Sequence, residues 1–398
     1  MRIAMIGPFG LHPKGTMRVR ALPLARELVA LGHAVKVVMP PWRTPQEGDR
    51  AWNDRGVAIE YVAPGPGPDP LSYPIVTLRL VRSALAWRPD IVHCFKPKAF
   101  AGLAAWVLWH LRRLRMTKVR LVIDADDWEG AGGWNELEPY PLPFRKLFAW
   151  QERWGLRHAD ALTVASRTLE SLVWSLGVSP CKVHYLPNGA RSPRPGDGSK
   201  VRDKHGLGER PVVLLYTRFF EYDPGRVVAA LGQVLSEIPD ARLLVVGEGL
   251  FPQDDARFDR LVAEAGLTQN VARAGWVPEE QLPGYFAAGD VAIYPFDDTL
   301  INRAKCAVKL ADLLAAGVAV VADAVGQNVE YIVHNETGLL VPSGDAGAMA
   351  RQVVQLLRDD ARRRALASAA ASRMSEHYSW SVLATKALAA YRAAGAET

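Results

Sequence analysis

A regular alternation of short apolar runs, glycine-bearing loops and helical segments dominates this chain. It opens with the apolar run RIAMIG, a loop that contains Gly10 and Gly15, and a predicted helix over about 16–31 that ends at Gly32. Short apolar runs of this kind predict buried parallel strands, and the longer segments between them predict the connecting helices. The alternation therefore predicts an α/β fold with Rossmann-like, doubly wound sheets.

The length of 398 residues predicts more than one domain. A single hydrophobic core seldom serves more than about 250 to 300 residues, so two domains of similar size are expected. We predict a first domain over 1–190, a linker over 191–209 and a second domain over 210–375. The stretch RSPRPGDGSK, which is rich in Pro, Gly and Ser, marks the linker.

Three features bear on where the chain resides. The N-terminal run is broken by Gly7 and Pro8, which favours a first strand over a signal peptide. The longest apolar run, AFAGLAAWVLWHL, is too short to span a bilayer. Three scattered cysteines show no metal spacing and cannot all pair, which is typical of a reducing compartment. We predict a cytoplasmic protein.

Charge divides unevenly between the two halves. Residues 1–195 carry 27 Lys and Arg against 16 Asp and Glu, a net charge of +11, whereas residues 196–398 carry a net charge of −5. Ten of the twelve tryptophans also lie in the first half. A basic, Trp-rich half suits nucleic acid or an anionic membrane. Since no nucleic-acid motif is present, we predict no nucleic acid partner and a possible peripheral contact with an anionic membrane.

A candidate anion site lies in the second half. A cationic loop with Lys305 precedes a predicted helix over about 306–316, which ends at Gly317 before a buried strand over 318–322. The start of such a helix offers unpaired N–H groups and a partial positive charge, and so suits a nucleotide diphosphate. Asp312, one to two turns into the helix, could accept hydrogen bonds from hydroxyls such as those of a ribose. A plain βαβ unit without a ligand is the alternative.

Acidic residues are concentrated at the end of one strand in the basic half. In LVIDADDWEG, Asp126 and Asp127 follow a strand directly, at its carboxyl end, where ligands of doubly wound sheets bind. The pair Asp124 and Asp126 would allow a divalent metal, but contacts to sugar or acceptor hydroxyls, or a solvated loop, are the other interpretations. His93 lies near the end of another predicted strand, IVHCF, and is either a cleft residue or a core residue.

At KLADLLAAGVAVVA, NETGLLVPSGD and LPNG, the chain resembles the GT-B glycosyltransferases of the family-4 type. The resemblance implies two Rossmann-like domains that face a central cleft, with a C-terminal helix over 376–398 that crosses back to the first domain. It departs from the family pattern at three points. Ala304 stands where a Glu is expected, Asp312 replaces a second Glu, and the Lys that usually follows the arginine equivalent to Arg218 is missing.

The resemblance, together with the residues themselves, yields a predicted site without cofactor or metal. The predicted donor-binding residues are Gly15, Arg218, Gly247, Lys305, Lys309 and Asp312. The predicted acceptor-binding residues are Lys14, Arg18, Asp126 and Asp127, where the two cations could instead be solvated. The predicted catalytic residues are Arg218, Lys305, Asp126 and Asp127.

The function that the resemblance implies is hexosyl transfer from a UDP or GDP sugar to a glycan or lipid-linked acceptor, with retention of anomeric configuration. Two alternatives remain open at this stage. A catalytically silent subunit that regulates a partner transferase would fit Ala304 and the missing lysine. A nucleotide-sugar 2-epimerase would need carboxylates and a histidine near the sugar, and only Asp126, Asp127 and His93 could supply them.

Overall fold

The structure is a computed structural model that describes residues 1–65, 69–191 and 194–396. It divides into two compact units. The first comprises Met1–Asn188, Ala304–Cys306 and the chain from Trp380 onward, and the second comprises Gly189–Arg303 and Ala307–Ser379. Residues 192 and 193 of the predicted linker and the last two residues of the predicted C-terminal helix lie outside the described residues.

The first unit is built on an eight-stranded sheet with the order β3-β4-β2-β1-β5-β6-β7-β8. All neighbouring strands run parallel except β3 and β4, which pair antiparallel. The strands are β1 Arg2–Ile6, β2 Ala34–Met39, β3 Ala51–Asp54, β4 Val57–Tyr61, β5 Ile91–Phe95, β6 Arg120–Ala125, β7 Ala161–Val164 and β8 Val183–Tyr185.

Helices connect these strands in the first unit. They are α1 Leu22–Ala30, α2 Asp69–Ala86, α3 Ala99–Arg113, α4 Trp134–Leu137, α5 Leu142–His158 and α6 Arg167–Ser175. A π-helical turn, Met17–Ala21, leads directly into α1, so the helix predicted over 16–31 is present with an irregular first turn. Short 3₁₀ turns lie at Pro45–Glu47 and Pro180–Lys182.

The second unit contains a six-stranded, all-parallel sheet with the order β11-β10-β9-β12-β13-β14. The strands are β9 Val212–Tyr216, β10 Arg242–Val246, β11 Val271–Gly275, β12 Val291–Tyr294, β13 Ala319–Asp323 and β14 Leu339–Val341. The helices are α7 Gly198–Lys204, α8 Pro224–Glu237, α9 Pro252–Glu264, α10 Leu282–Ala288, α11 Leu300–Ala304, α12 Val308–Ala315, α13 Asn328–Tyr331, α14 Ala346–Arg358 and α15 Asp360–Tyr378. A 3₁₀ turn covers Thr268–Asn270.

The last helix, α16 Trp380–Ala393, belongs to the first unit, where it packs against α1, β7 and β8. Apolar side chains of this helix, including Leu383 and Tyr391, join the core beneath the sheet. Burial of these side chains removes a large apolar area from water and holds the helix in place. The unit is therefore completed by residues far away in sequence.

The central strands explain why the sequence forms parallel sheets. Every residue of β5, β7, β12 and β13 is buried. Near-continuous apolar strands of this kind suit sheets that are covered by helices on both faces. The structure thus confirms the predicted α/β class with two Rossmann-like domains.

His93 is a core residue of β5. Its side chain is fully buried, with one ring nitrogen 2.9 Å from the Tyr391 hydroxyl and the other 3.1 Å from the Thr163 hydroxyl. Burial lowers the pKa of His93 to about 4, so the ring is neutral near pH 7. Its two ring nitrogens are occupied in linking β5 to β7 and α16, which decides in favour of the core interpretation of this histidine.

Candidate functional site

The carboxyl end of β6 carries two aspartates with different surroundings, starting with Asp124. Its carboxylate is fully buried and receives hydrogen bonds from Arg20 Nε at 2.7 Å and Arg20 Nη2 at 2.6 Å. The Thr163 hydroxyl donates a further bond at 2.5 Å. Burial alone would lower the pKa of Arg20, but the Asp124 carboxylate raises it above its ordinary value. Asp124 is therefore committed to a buried ion pair.

Asp126, two residues later, directly follows the carboxyl end of this strand. It is only 8% exposed, and the Thr16 hydroxyl donates a hydrogen bond to its Oδ2 at 2.9 Å. Burial raises the pKa of Asp126 to about 6, and the nearby Lys96 opposes this rise. Thr16 follows Gly15 directly, so the first glycine loop and the acidic turn lie together in the first unit.

Lys96 occupies the centre of the acidic cluster. It follows β5, and its Nζ lies 2.7 Å from Asp127, 3.4 Å from Glu129 and 3.6 Å from Asp126. Its backbone has a φ of 56°, a conformation that non-glycine residues seldom adopt. An ammonium group thus lies among the carboxylates that a divalent metal would need. Among residues 1–65, 69–191 and 194–396, no group of three His, Cys, Asp or Glu could hold a metal ion.

A second layer of charge lies behind this cluster. Lys98 Nζ contacts Glu129 at 2.7 Å, and Glu152 accepts a hydrogen bond from the Glu129 amide at 2.9 Å. Burial raises the pKa of Glu152 to about 8, so this carboxyl retains its proton near neutral pH. These contacts hold the turn after β6 in a fixed shape.

The other predicted residues of the first unit lie in the loop and turn after β1. Lys14 Nζ forms an ion pair with Glu138 at 3.0 Å and is about two-fifths exposed. The Gly15 carbonyl accepts the hydrogen bond from the Val19 amide that begins the π-helical turn. Arg18 lies half-buried within that turn. Gly15 therefore begins the helical segment on which Arg18 lies.

In the second unit, predicted donor residues meet at the carboxyl end of β9. Arg218 follows this strand, is about one-third exposed, and donates from Nε to Glu221 Oε1 at 2.8 Å. Lys309, near the start of α12, lies with Nζ 3.3 Å from the Thr217 carbonyl and 3.7 Å from the centre of the Tyr216 ring. A second predicted donor-binding cation is thus adjacent to the strand end that carries Arg218.

Gly247 ends β10 beside the same strand end. Its φ is 111°, and a Cβ atom at this position would lie 2.1 Å from the Thr217 carbonyl oxygen. Such a distance is far shorter than any real contact, so only glycine fits. The Gly247 amide donates to Gly275. Glycine here allows the backbones at the ends of β9 and β10 to lie close together.

Asp312 lies in α12 and is 5% exposed. Neither carboxylate oxygen accepts a hydrogen bond of ordinary geometry from the residues that the structure describes, and the Arg191 backbone N–H makes only a weaker contact. Arg191 provides an ion pair, with Nε 3.5 Å from Oδ1, and it also contacts Glu279 at 3.2 Å. Burial raises the pKa of Asp312 to about 6, which Arg191 opposes. The carboxylate is thus desolvated, and Arg191 offsets this only weakly.

The site residues fall into two sets. Arg218, Gly247, Lys309 and Asp312 lie in the second unit. Lys14, Gly15, Arg18, Asp126, Asp127 and Lys305 lie in the first unit. Lys305 lies in the short segment Ala304–Cys306, which is assigned to the first unit although the residues before and after it in sequence belong to the second.

Sequence reasoning overlooked Lys96, Thr16 and Arg191. Lys96 follows a predicted strand, so the rule that carboxyl ends of parallel strands share one edge would have placed it near Asp126. Thr16 adjoins the predicted Gly15 and could have been included for the same reason. Arg191 lies in the predicted linker and makes its contact with Asp312 only through tertiary structure.

Family models account for most of the chain. Residues 15–189 match a model described as a glycosyl transferase 4-like domain, and residues 210–359 match one described as glycosyl transferases group 1. The two matches correspond to the two parallel-sheet regions. Together with the fold, they define a glycosyltransferase of two Rossmann-like domains.

Solved structures of the same architecture cover the whole chain. The structure of sucrose-phosphate synthase from Thermosynechococcus elongatus superposes with a TM-score of 0.75 at 23% identity and covers 98% of both chains. Anabaena HepE in complex with UDP superposes with a TM-score of 0.68 at 18% identity, again over 98% of both chains. These likenesses establish the GT-B fold.

Curated relatives include mannosyltransferases. A GDP-mannose-dependent alpha-(1-6)-phosphatidylinositol monomannoside mannosyltransferase of Mycobacterium tuberculosis is 27% identical over 89% of this chain and 88% of its own length. The match to the Mycolicibacterium smegmatis protein of the same description has 27% identity and spans 56% of this chain and 59% of that protein. The chain belongs to the GT-B glycosyltransferases of the family-4, group 1 type.

Proposed function

We propose that this protein transfers a hexosyl group from a UDP or GDP sugar to a lipid-linked or glycan acceptor, with retention of anomeric configuration. The observation that carries the proposal is the arrangement in the second unit. Two cationic side chains, Arg218 and Lys309, lie at one strand end, and α12 adds a buried carboxylate that accepts no hydrogen bond of ordinary geometry, Asp312. The mannosyltransferase relatives make GDP-mannose the first donor to test.

The donor diphosphate would bind at the end of β9. Negative charge develops on the diphosphate as the bond to the sugar breaks, and fixed cations that face this charge stabilise the transition state. Arg218 is held by Glu221 and Lys309 by Thr217, so both side chains have defined positions before a ligand arrives. Lys309 takes the role of the family lysine that this sequence lacks. Lys305, a cation of the first unit, is also assigned to donor binding.

Asp312 would accept hydrogen bonds from ribose hydroxyls. A carboxylate without partners in a buried place costs free energy, and two neighbouring hydroxyls supply the missing donors. Gly247 would let the backbone approach the donor. These interactions position the nucleotide, so that the sugar is presented in one orientation.

The acceptor would bind near Asp126 and Asp127 in the first unit. Both carboxylates are held in position, Asp126 by the Thr16 hydroxyl and Asp127 by Lys96, and each can accept a hydrogen bond from an acceptor or sugar hydroxyl. Lys14, Gly15 and Arg18 belong to the adjoining loop and turn. No protein nucleophile is invoked: an acceptor hydroxyl oxygen would form the new bond to the anomeric carbon as the bond to the diphosphate breaks, and the hydroxyl proton would pass to the departing diphosphate oxygen.

We also propose peripheral attachment to anionic membranes through α5. Leu142, Lys146, Trp150 and Arg153 are exposed and follow one another at helical spacing. A stripe of apolar, aromatic and basic side chains suits the lipid headgroup region. Within the described chain, no helix has the length and apolar character needed to span a bilayer.

Vesicle sedimentation tests this attachment. Trp150→Ala should lower the bound fraction on vesicles with anionic lipid, because an interfacial anchor is lost. Trp174→Ala, an exposed tryptophan of α6, is the matched control and should bind as the parent chain does. Equal loss in both variants, or no binding by the parent chain, would contradict the proposal.

Nucleotide release from a panel of UDP and GDP sugars tests the transferase proposal. Arg218→Ala should lower kcat/KM by about ten- to a hundredfold, because a charge-assisted hydrogen bond contributes about 1.5–3 kcal/mol. Arg257→Ala is the control, since this exposed arginine of the same unit also pairs with one carboxylate, Asp223. Its activity should remain unchanged.

Three results would contradict the proposal in different ways. Binding of a nucleotide sugar without release of its nucleotide in the presence of acceptors would favour a silent regulatory subunit. Interconversion of the sugar without acceptor would favour an epimerase. Release of nucleotide with an inverted product would leave transfer intact and overturn retention, which product NMR distinguishes.

A further inference from the structure

The short segment Ala304–Cys306 belongs to the first unit, although the residues on both sides of it belong to the second. The chain thus enters the first unit and leaves it again within three residues. Ala304 is fully buried and Cys306 is 4% exposed. Lys305, between them, is half-buried and is one of the predicted donor-binding cations.

Two side chains of the first unit hold the backbone on either side of Lys305. The Ser166 hydroxyl donates to the Ala304 carbonyl at 2.6 Å. The Asn188 side-chain amide donates to the Cys306 carbonyl at 2.9 Å, and the Asn188 backbone amide donates to Cys306 Sγ at 3.0 Å. Both carbonyls that flank Lys305 are therefore fixed by buried donors.

Asn188 is itself held by the buried arginine. Arg20 Nη1 donates to Asn188 Oδ1 at 3.1 Å, while Nη2 donates to the Leu186 carbonyl at 2.7 Å. Since Arg20 is also paired with Asp124, the amide of Asn188 has one orientation, with its oxygen toward Arg20 and its nitrogen toward Cys306. A fixed amide imposes a fixed position on the loop.

Ser166 makes two hydrogen bonds that have different roles. Its oxygen also accepts from the Leu169 amide at 3.1 Å and so caps α6. Capping requires only an acceptor, whereas the contact with Ala304 requires the hydroxyl proton. The hydrogen bond that Ser166 donates to Ala304 is therefore not needed to begin α6, and it stabilises the loop that contains Lys305.

We propose that Ser166 and Asn188 are positioning residues for Lys305, so that the first unit sets the geometry of one donor-binding cation. This inference rests on the proposed function for the role of Lys305. A cation on a loop held at both ends loses little conformational entropy when a diphosphate binds. Asn188 and Ser166 act through Lys305 and do not themselves contact the donor.

The main test measures GDP and UDP binding to the full chain by calorimetry. Asn188→Leu should weaken the tighter nucleotide by about fivefold, the effect of one hydrogen bond. Gln151→Leu is the matched control, because Gln151 is 1% exposed and its amide likewise holds the backbone of another segment, at Ala99. This control should be destabilised to a similar extent but bind nucleotide normally.

A double-mutant cycle with Lys305→Met separates positioning from a general loss of structure. If Asn188 acts through Lys305, the chain with both substitutions binds nucleotide no more weakly than Lys305→Met alone. Additive losses would overturn the inference. Ser166→Ala should weaken binding in the same direction, and Ser166→Thr, which retains the hydroxyl, should restore it. The Ser166→Ala and Ser166→Thr variants provide the test if Asn188→Leu fails to fold.

Hydrogen exchange provides a readout that does not depend on nucleotide. Amides of residues 304–308 should exchange faster in Asn188→Leu than in Gln151→Leu, relative to the parent chain. Unchanged exchange there would overturn the inference and leave the proposed function intact. Normal nucleotide binding by Asn188→Leu would do the same. A third outcome is that exchange is faster in Asn188→Leu but the parent chain binds neither GDP nor UDP. This outcome would overturn the proposed function, and with it the role assigned to Lys305.

Discussion

Two buried aspartates, one in each unit, have opposite hydrogen-bond environments. Asp124 in the first unit is fully buried and receives three hydrogen bonds from Arg20 and Thr163. Asp312 in the second unit is 5% exposed and accepts none of ordinary geometry among the described residues. Its cation, Arg191, is about one-third exposed and lies 3.5 Å away. The first carboxylate is satisfied by its own unit, and the second is not.

The difference separates a structural charge from a ligand-binding charge. A buried ion needs both an opposite charge and hydrogen bonds before its desolvation cost is offset. Asp124 has both, whereas Asp312 has a single partly exposed partner, and burial accordingly raises its pKa to about 6. A carboxylate left in this state destabilises the folded unit and is suited to hydroxyl donors supplied from outside.

The largest effect is expected from Asp124→Asn. The substitution leaves the Arg20 guanidinium buried without its charge partner, which should lower the free energy of unfolding by about 3–5 kcal/mol. Urea denaturation measures this loss. Thr163 and Asn188 remain in place, but hydrogen bonds to these neutral side chains should not replace the negative charge that Arg20 has lost. A decrease in the free energy of unfolding of less than about 1 kcal/mol would show that Arg20 reaches solvent. Asp124 would then no longer be the structural charge with which Asp312 is compared.

Asp312→Asn should act in the opposite direction at neutral pH. Removal of an unsatisfied buried charge should raise the free energy of unfolding by about 1–3 kcal/mol, since each pKa unit corresponds to about 1.36 kcal/mol. The same substitution should weaken GDP or UDP binding about tenfold, because the ribose loses a charged acceptor. Stability and binding are measured on one preparation. Destabilisation at pH 7 would contradict the assignment.

The effect of Asp312→Asn on the free energy of unfolding should depend on pH with a defined sign. The folded-state pKa of Asp312, about 6, lies above its ordinary value of 3.8, so the folded chain retains a proton that the unfolded chain has lost. Stability of the parent chain therefore falls as pH rises through this interval. The advantage of Asp312→Asn should be absent at pH 4, grow up to about pH 6 and then stay constant.

The smallest effect is expected from Arg191→Ala. A partly exposed ion pair contributes at most about 1 kcal/mol, so stability should change little. Loss of the cation should raise the pKa of Asp312 further, and the pH below which nucleotide binding weakens should move upward. Calorimetric titrations between pH 5 and 8 would reveal the shift. A profile identical to that of the parent chain would show that Arg191 has no influence on the carboxylate.

Much of the fold followed from local patterns. The helix predicted over 306–316 and the strand predicted over 318–322 correspond to α12 and β13 within two residues at each end. Gly317, with a φ of 70°, ends the helix as expected of a glycine after a helix. Predictions of this kind succeed because periodicity and glycine positions act over a few residues.

Contacts between residues far apart in sequence could not be predicted in the same way. The sequence shows Asp124 and Asp126 as two similar acids at one strand end, and nothing local reveals that Arg20 pairs with the first and Thr16 with the second. Likewise, no pattern places Arg191 beside Asp312. These pairings depend on how loops and helices pack after the strands have formed.

The sequence by itself determined the alternation of strands and helices, the two predominantly parallel sheets and the family, because each rests on spacing and residue type. Only the tertiary structure decided which buried carboxylates are satisfied, that His93 is a core residue, and that Ala304–Cys306 belongs to the first unit. The physical reason is that a charge is stabilised or destabilised by the groups within a few ångströms of it, and these groups come from distant parts of the chain.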